Sequence, residues 1–297
     1  MIDTAIIGVD WGSTSVRVMR IGGKGRILDL RRANDGVFTG SGEFEDRLRG
    51  HLGAWLTDAR PVPIMLCGMI GSDRGWCSVA YAPAPAGLDD LARLLTPPPF
   101  DGIARIVPGV SISNAREAEV MRGEETLVMG LLAKTGLTDA ILCLPGTHSK
   151  WVSVRDGRIA RFRTYMTGEL RALLLENGAL ATGAVQASSR DAFLQGMKAS
   201  GTAVTRSLFQ ARGRRLLGHL PAEHTASFVS GVLIGEEVSA EAREAQGGVP
   251  IFIVAREATA GDYSFALTRA GLAHKIVDPE PLAALGLFRI AQQCGLA

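Results

Sequence analysis

Two segments of the chain, 134 positions apart, share one arrangement of apolar strand, small-residue turn and second strand. The first runs from Thr4 through Asp10 to the turn Gly12-Ser13-Thr14-Ser15, and the second from Ala140 to the turn Gly146-Thr147-His148-Ser149. An apolar run that ends in turn residues predicts a buried strand. Because helical patterns follow each copy, we expect an α/β chain whose two domains, each a mixed sheet with helices, face each other across a cleft.

Composition supports two domains and argues against several classes of partner. The 297 residues are 46% hydrophobic, which is enough for two cores. A net charge of +2, from 32 basic and 30 acidic residues, gives no overall field that favours nucleic acid or an anionic membrane. Four scattered cysteines form no CxxC pair, which predicts reduced thiols in a cytoplasmic protein. We also expect no signal sequence and no membrane span.

Both turns have residue types that bind phosphate. Glycine lets the backbone approach a ligand, and hydroxyl and amide groups donate to phosphate oxygens. The predicted phosphate-binding residues are Gly12, Ser13, Thr14 and Ser15 in the first turn and Gly146, Thr147 and Ser149 in the second. Lys150 could neutralise phosphoryl charge, or it could be a strand-edge lysine that discourages aggregation.

A carboxylate precedes only the first turn, because Asp10 aligns with Leu144 in the second copy. Two turns that bind one polyphosphate need a single strong metal anchor, and Mg²⁺ takes one or two carboxylates together with water and phosphate oxygens. We therefore predict that Asp10 is a magnesium ligand. The alternative is an aspartate that only caps the turn.

A phosphoryl acceptor also needs a carboxylate near its reacting hydroxyl. Glu124 and Glu125 are candidates, on a helix predicted from about Ala115 to Lys134; a solvated helix face is the alternative. Gly123 lies inside that predicted helix, where glycine costs about 1 kcal/mol, so we expect it to permit close packing or ligand approach. The absence of GxxxxGK[ST], GxGxxG, GxSxG and HExxH argues against P-loop and dinucleotide-binding proteins and the usual hydrolases.

Five motifs together resemble the 2-dehydro-3-deoxygalactonokinases, over about residues 4–290. They are Asp10 to Thr14, Gly68 to Ser72 with Gly75-Trp76, Met121 to Thr126, Pro145 to Trp151, and Phe162 to Leu170. The resemblance implies two actin-like, ribonuclease H-like domains. It also implies transfer of the γ-phosphate of ATP to the 6-hydroxyl of 2-dehydro-3-deoxy-D-galactonate, in cytoplasmic galactonate catabolism. We expect the domains at residues 1–115 and 116–280, with a helix at about 280–297 that packs back on the first.

The resemblance extends to site residues. Arg256 falls in the turn where such kinases bind adenosine, and it could stack on adenine or narrow the pocket. The second turn lacks the aspartate that is the base in many sugar kinases of this superfold, so Asp10 and Glu124 are the competing candidates. Arg122 and Arg163 could bind the substrate carboxylate, or they could form surface ion pairs. The remaining predicted substrate residues are Gly71, Ser72, Trp76 and Glu125.

Two other functions remain open on the sequence: a phosphohydrolase of the same superfold, and a sensor that binds nucleotide and sugar acid without turnover. The sequence does not distinguish a galactonate derivative from a gluconate derivative. It also leaves the oligomeric state open, including a homodimer.

Overall fold

A five-stranded mixed sheet lies in the first part of the chain. The structure, a computed structural model, describes residues 4–57, 61–181, 183–201, 203–245 and 248–297. The strands up to residue 121 are β1 (Thr4–Trp11), β2 (Val16–Gly22), β3 (Ile27–Ala33), β4 (Ile64–Gly68), β5 (Ala82–Pro83), β6 (Ala104–Ile106), β7 (Val110–Ser113) and β8 (Ala118–Met121). The order is β3-β2-β1-β4-β6, with an antiparallel meander β1–β3 and parallel pairing of β1 with β4 and β4 with β6. A smaller sheet has the order β5-β7-β8.

A second five-stranded sheet repeats this topology. Its strands are β9 (Ala140–Leu144), β10 (Ser149–Arg155), β11 (Arg158–Tyr165), β12 (Ile251–Val254) and β13 (His274–Val277). The order is β11-β10-β9-β12-β13, and β12 is parallel to both β9 and β13. In each sheet the strands thus follow the order third, second, first, fourth, fifth along the chain. The duplication confirms the predicted fold class.

Helices cover both sheets. They are α1 (Phe44–Leu52), α2 (Leu88–Arg93), α3 (Glu124–Thr135), α4 (Thr167–Glu176), α5 (Arg190–Ala199), α6 (Val204–Leu216), α7 (Thr225–Ala242), α8 (Glu257–Arg269) and α9 (Pro279–Gln293). Among the described residues, none of these helices has the length and apolar character to cross a membrane.

The chain divides into two compact units. The first consists of Met1–Asp139, Ser153–Phe162 and Asp278–Ala297, and the second of Ala140–Val152 and Arg163–Val277. This division differs from the expected boundary after residue 115, because α3 packs against α9 inside the first unit. The C-terminal helix α9 also contacts β1 of that unit.

Two pairs of helices approach so closely that only glycine fits at the crossing. In the first unit, a Cβ atom on Gly130 of α3 would lie 2.0 Å from the Leu282 carbonyl oxygen of α9, and one on Gly286 of α9 would lie 1.9 Å from the Thr126 carbonyl oxygen. In the second unit, Gly196 of α5 and Gly231 of α7 meet the opposite backbone in the same way, at 2.1 and 2.0 Å. Each unit therefore has one helix pair fixed by reciprocal glycines.

The predicted helix from Ala115 to Lys134 is wrong in its first half. β8 occupies Ala118–Met121 and pairs antiparallel with β7, which satisfies its backbone hydrogen bonds. Gly123 is not inside a helix: it is the N-cap of α3 and has φ of 106°, a conformation that other residues rarely adopt. The glycine therefore marks the sharp turn from β8 into α3.

Candidate functional site

The first turn, residues 12–15, has a fixed backbone and free hydroxyl groups. The Gly12 N–H donates to the Ser15 carbonyl at 2.9 Å, and the carbonyls of Gly12 and Ser13 accept from the backbone of residues 37 and 38 at 2.9 and 3.0 Å. Within the described part of the chain, the hydroxyls of Ser13, Thr14 and Ser15 form no hydrogen bond. The geometry therefore leaves three hydroxyl donors available to a ligand, and their contact with phosphate stays a prediction.

Asp10 lies at the end of β1 and pairs with Arg17, its direct neighbour on β2. Arg17 Nη1 donates to Asp10 Oδ2 at 2.7 Å, whereas Oδ1 accepts no hydrogen bond from the described residues. Burial raises the pKa of Asp10 above its ordinary value; Arg17 lowers it, and nearby Glu124 and Glu280 raise it further. Arg17 was not predicted as a site residue, although it lies opposite Asp10 in the β1–β2 hairpin.

Asp10 fits the role of a single magnesium anchor. No group of three or more histidine, cysteine, aspartate or glutamate side chains in the described residues is arranged to hold a metal. Mg²⁺ does not need one, because it keeps several waters and takes the rest of its ligands from phosphate. The carboxylate of Asp10, with one oxygen unengaged, suits a site completed by a nucleotide.

The start of α3 brings two carboxyl groups close to the end of β1. Glu124 Oε2 accepts from the Arg122 backbone N–H at 3.0 Å, and Glu125 Oε2 accepts from the Gly123 N–H at 2.7 Å. Glu124 is partly exposed, and its charge acts on Asp10, so the two candidate bases are neighbours. Glu125 is fully buried, with Oε1 unpartnered; burial first, and Glu124 second, raise its pKa to about 8.

Arg122, Gly71 and Ser72 also lie together in the first unit. Arg122 Nη2 donates to the Val79 carbonyl at 2.7 Å, and the guanidinium lies 4.3 Å from the centre of the Tyr81 ring. A Cβ atom on Gly71 would come within 3.0 Å of Arg122 Nη1, so the glycine makes room for the guanidinium. Arg122 Nε and Nη1 and the Ser72 hydroxyl are buried without a hydrogen-bond partner. Such groups are rare in folded proteins, and an absent ligand is one explanation for them.

Trp76 has a packing contact in the structure. Its ring meets the Phe100 ring edge to face, with centroids 6.1 Å apart, and it packs against the hydrophobic core beneath the first sheet. The substrate role predicted for Trp76 stays a prediction.

The two turns expose different side chains to solvent. Gly146, Thr147 and His148 are exposed, but Ser149 is fully buried and donates to Glu237 at 2.8 Å. The Ser149 hydroxyl is therefore already engaged, and its predicted phosphate contact is corrected to a structural one. Thr147 keeps a hydroxyl with no partner among the described residues.

Glu237 of α7 anchors the second turn and was not predicted from the sequence. It accepts hydrogen bonds from Ser149, from Trp151 Nε1 at 2.7 Å, from Thr167 at 2.7 Å and from Tyr263 at 3.0 Å. Burial raises its pKa above the ordinary value, while these donors lower it. In α7 the adjacent Glu236 and Glu237 directly follow a mainly apolar stretch, and this is the signal that could have found it.

Arg163 forms ion pairs, which was the alternative to its predicted contact with a substrate carboxylate. It donates to both carboxylate oxygens of Glu241 at 3.1 Å and also pairs with Glu244. The hydrogen bond to Glu244 and the contact with Glu241 raise the pKa of Arg163 above its ordinary value. Because two carboxylates already neutralise this guanidinium, the predicted contact with a substrate carboxylate is corrected to an internal ion pair.

The other two predicted cationic groups have different environments. Lys150 lies in β10 and is only 5% exposed. Arg256 is exposed at the turn between β12 and α8, where it is the N-cap residue of α8. Its predicted contact with adenine stays a prediction.

The duplicated sheet with a small-residue turn after its first strand defines the class of actin-like ATPase folds. A solved activator of 2-hydroxyisocaproyl-CoA dehydratase from Clostridium difficile, with bound ADPNP, has the same fold. The two structures superpose with a TM-score of 0.54 at 12% sequence identity, and the match covers 97% of this chain and 95% of the activator. At this identity the likeness shows the fold alone.

Within that class, the chain belongs to the 2-keto-3-deoxy-galactonokinase family, which matches residues 10–290. It is 36% identical to "Probable 2-dehydro-3-deoxygalactonokinase DgoK1" of Rhizobium meliloti (strain 1021), over 96% of this chain and 95% of that protein. It is also 36% identical to the 2-dehydro-3-deoxygalactonokinase of Escherichia coli (strain K12), over 78% and 79%. A crystal structure of a candidate 2-dehydro-3-deoxygalactonokinase from Sinorhizobium meliloti superposes with a TM-score of 0.86 at 34% identity, over 97% and 98%.

Proposed function

We propose that the protein transfers the γ-phosphate of ATP to the 6-hydroxyl of 2-dehydro-3-deoxy-D-galactonate, as a cytoplasmic enzyme of galactonate catabolism. Membership of the kinase family supports the reaction class and the sugar-acid substrate. The observation that carries the proposal is the pair of neighbouring carboxylates, Asp10 and Glu124, beside a turn with three free hydroxyls.

The reacting end of the site needs an anchor for Mg-ATP and a base. Bound Mg²⁺ would neutralise phosphate charge during transfer. Asp10, with Oδ1 unengaged, is the proposed ligand, and the hydroxyls of Ser13, Thr14 and Ser15 are the proposed phosphate donors. Glu124 then remains as the acceptor's base, because a carboxylate that holds the metal is a poor acceptor of the substrate proton.

The sugar-acid end is proposed at Arg122. Two of its buried N–H groups lack an acceptor, and the carboxylate of a sugar acid would supply one. The unpartnered Ser72 hydroxyl and Glu125 Oε1 are further groups that substrate oxygens would satisfy.

The test is ADP release, coupled to a dehydrogenase, with a panel of 2-keto-3-deoxy sugar acids and a control without sugar. We expect release only with sugar acid, and fastest with the galactonate derivative. Sugar-independent release would favour a phosphohydrolase, and no release under any condition would favour a sensor.

The Asp10→Asn variant should lose at least about 100-fold in kcat, because the amide is a weak magnesium ligand and cannot act as a base. An unchanged thermal melting curve would show that folding is intact. Asp73→Asn, an exposed aspartate, is the matched control and should keep wild-type activity. Wild-type turnover in Asp10→Asn would remove this residue from the mechanism.

A further inference from the structure

His148 is the exposed side chain that replaces a hydroxyl in the second turn. With the 134-residue offset, Gly146 aligns with Gly12, Thr147 with Ser13 and His148 with Thr14. Thr14 and His148 are both exposed at the tips of their turns. Because Ser149 is turned inward to Glu237, the exposed side chains that the second turn presents to a ligand are Thr147 and His148.

The first turn of α4 holds this tip in place. The Glu169 backbone N–H donates to the Thr147 carbonyl at 3.0 Å. A Cβ atom on Gly168 would lie 2.4 Å from the Gly146 carbonyl oxygen, so only glycine allows this approach. The tip is therefore a supported structure, which is what a binding residue needs in order to be positioned before its ligand arrives.

Glu169 also fixes the orientation of the imidazole. His148 Nε2 lies 2.5 Å from Glu169 Oε2, and a carboxylate can only accept, so Nε2 carries the hydrogen. The other ring nitrogen, Nδ1, has no hydrogen-bond partner in the described residues. The side chain of His148 is 47% exposed, so a ligand can reach this side chain at the tip of the turn.

We propose that His148 binds the nucleotide: its imidazolium donates Nδ1–H to a phosphate oxygen, while Glu169 acts as the positioning residue that holds Nε2–H. This rests on the proposed function, because it takes the second turn to be a phosphate loop. An imidazolium between a carboxylate and a phosphate donates from both ring nitrogens, so nucleotide binding at slightly alkaline pH takes up a proton. The other ionisable groups beside the turn are Lys150, which is buried in β10, and Glu237, which accepts the hydrogen bond of Ser149.

The test measures ADP binding by calorimetry, in the presence of Mg²⁺ and without sugar acid, so that turnover is not needed. Titrations at pH 8 in two buffers of different ionisation enthalpy give the number of protons taken up. His148→Gln should weaken ADP binding about 10- to 100-fold, which is the range for one charge-assisted hydrogen bond, and should abolish proton uptake. The KM for sugar acid should not change.

Two substitutions of Glu169 and one control substitution are measured in the same way. Glu169→Gln should lose part of the affinity and most of the proton uptake, and Glu169→Asp should restore part of both, which a merely structural residue would not do. His219→Gln alters an exposed histidine of the same unit and should behave as wild type.

Wild-type ADP affinity and wild-type proton uptake in His148→Gln would overturn the inference while leaving the kinase proposal intact. Conversely, a wild-type protein that binds ADP through His148 but releases no ADP with any sugar acid would contradict the kinase proposal alone. If the wild-type protein binds no ADP, both are overturned.

Discussion

At the scale of single residues, the buried carboxyl groups differ in how completely they are hydrogen-bonded. Glu237 has four donors and holds the second turn, α4 and α8 together. Glu125 is as deeply buried but has one donor and one unpartnered oxygen. A fully satisfied carboxylate fixes its neighbours, whereas an under-satisfied one costs stability unless it is protonated or meets a ligand.

Glu125→Gln should change how stability depends on pH. In the folded chain the pKa of Glu125 is about 8, against an ordinary value of 4.5, so between these pH values the folded chain holds a proton that the unfolded chain has lost. The free energy of unfolding therefore falls as pH rises through this window, by at most about 1.4 kcal/mol per pH unit from this residue. Glutamine has no such proton, so the variant should lack this contribution and be more stable than wild type at pH 8.

Urea unfolding of both proteins at several values between pH 5 and 9 measures the difference. Glu176→Gln, an exposed glutamate at the end of α4, is the control and should follow the wild-type profile. If the free energy of unfolding of Glu125→Gln depends on pH in parallel with that of wild type, Glu125 is ionised in the folded protein.

Arg122→Lys should raise the KM for sugar acid about tenfold or more and leave the KM for ATP within about twofold. Lysine keeps the charge but loses the planar N–H groups that match a carboxylate, and it also loses the contact with the Tyr81 ring. Steady-state kinetics with each substrate varied gives both constants. Arg116→Lys, exposed in the loop between β7 and β8, is the control. An equal rise in both KM values would mean that the substitution disturbs the whole unit rather than substrate binding.

At the scale of elements, local patterns predicted the paired hairpins, and tertiary contacts decided the rest. β1 and β9 are apolar runs that end in turn residues, and β2 and β10 follow those turns, so these four strands could be found from the sequence. α6 has a basic, weakly amphipathic sequence, and β13 is a short strand with no buried residue. Neither element therefore has a hydrophobic pattern strong enough to predict it from the sequence. Local patterns do not specify the contacts of Arg17, Glu237 and Arg163, because their partners are distant in sequence or depend on strand register.

The close crossing of α3 and α9 predicts that a larger residue at Gly286 destabilises the protein. Gly286→Ala places a methyl group 1.9 Å from the Thr126 carbonyl oxygen and should separate the helices. We expect a loss of about 1–3 kcal/mol in the free energy of unfolding, the usual cost of overpacking. Because α3 begins at Glu124, kcat should fall as well.

Gly213→Ala in α6 is the matched control for this substitution. A Cβ atom at Gly213 would meet nothing within 4 Å, so alanine should be neutral or stabilise the helix by up to about 1 kcal/mol. Urea unfolding compares both variants with wild type. Equal stability of Gly286→Ala and wild type would mean that the helices can move apart at no cost.

At the scale of the whole molecule, the internal repeat predicted the duplicated topology but not the division of the chain. The sheets share one strand order because each is built on the same hairpin. The units are not continuous in sequence, since the first includes Ser153–Phe162 and Asp278–Ala297 as well as the beginning of the chain. A repeat in sequence identifies which elements are equivalent, but it does not tell which distant helix covers a given surface.

The position of α9 affects the order in which the protein can fold during synthesis. The unit that contains Asp10 needs α9 to cover α3, yet residues 140–277 must be translated first. At about 5–20 residues per second this interval lasts on the order of 10 seconds. For that time, the Gly130 face of α3 has no helix against it, while the second unit is already leaving the ribosome. We therefore expect the nascent chain to complete its second unit first and its first unit last.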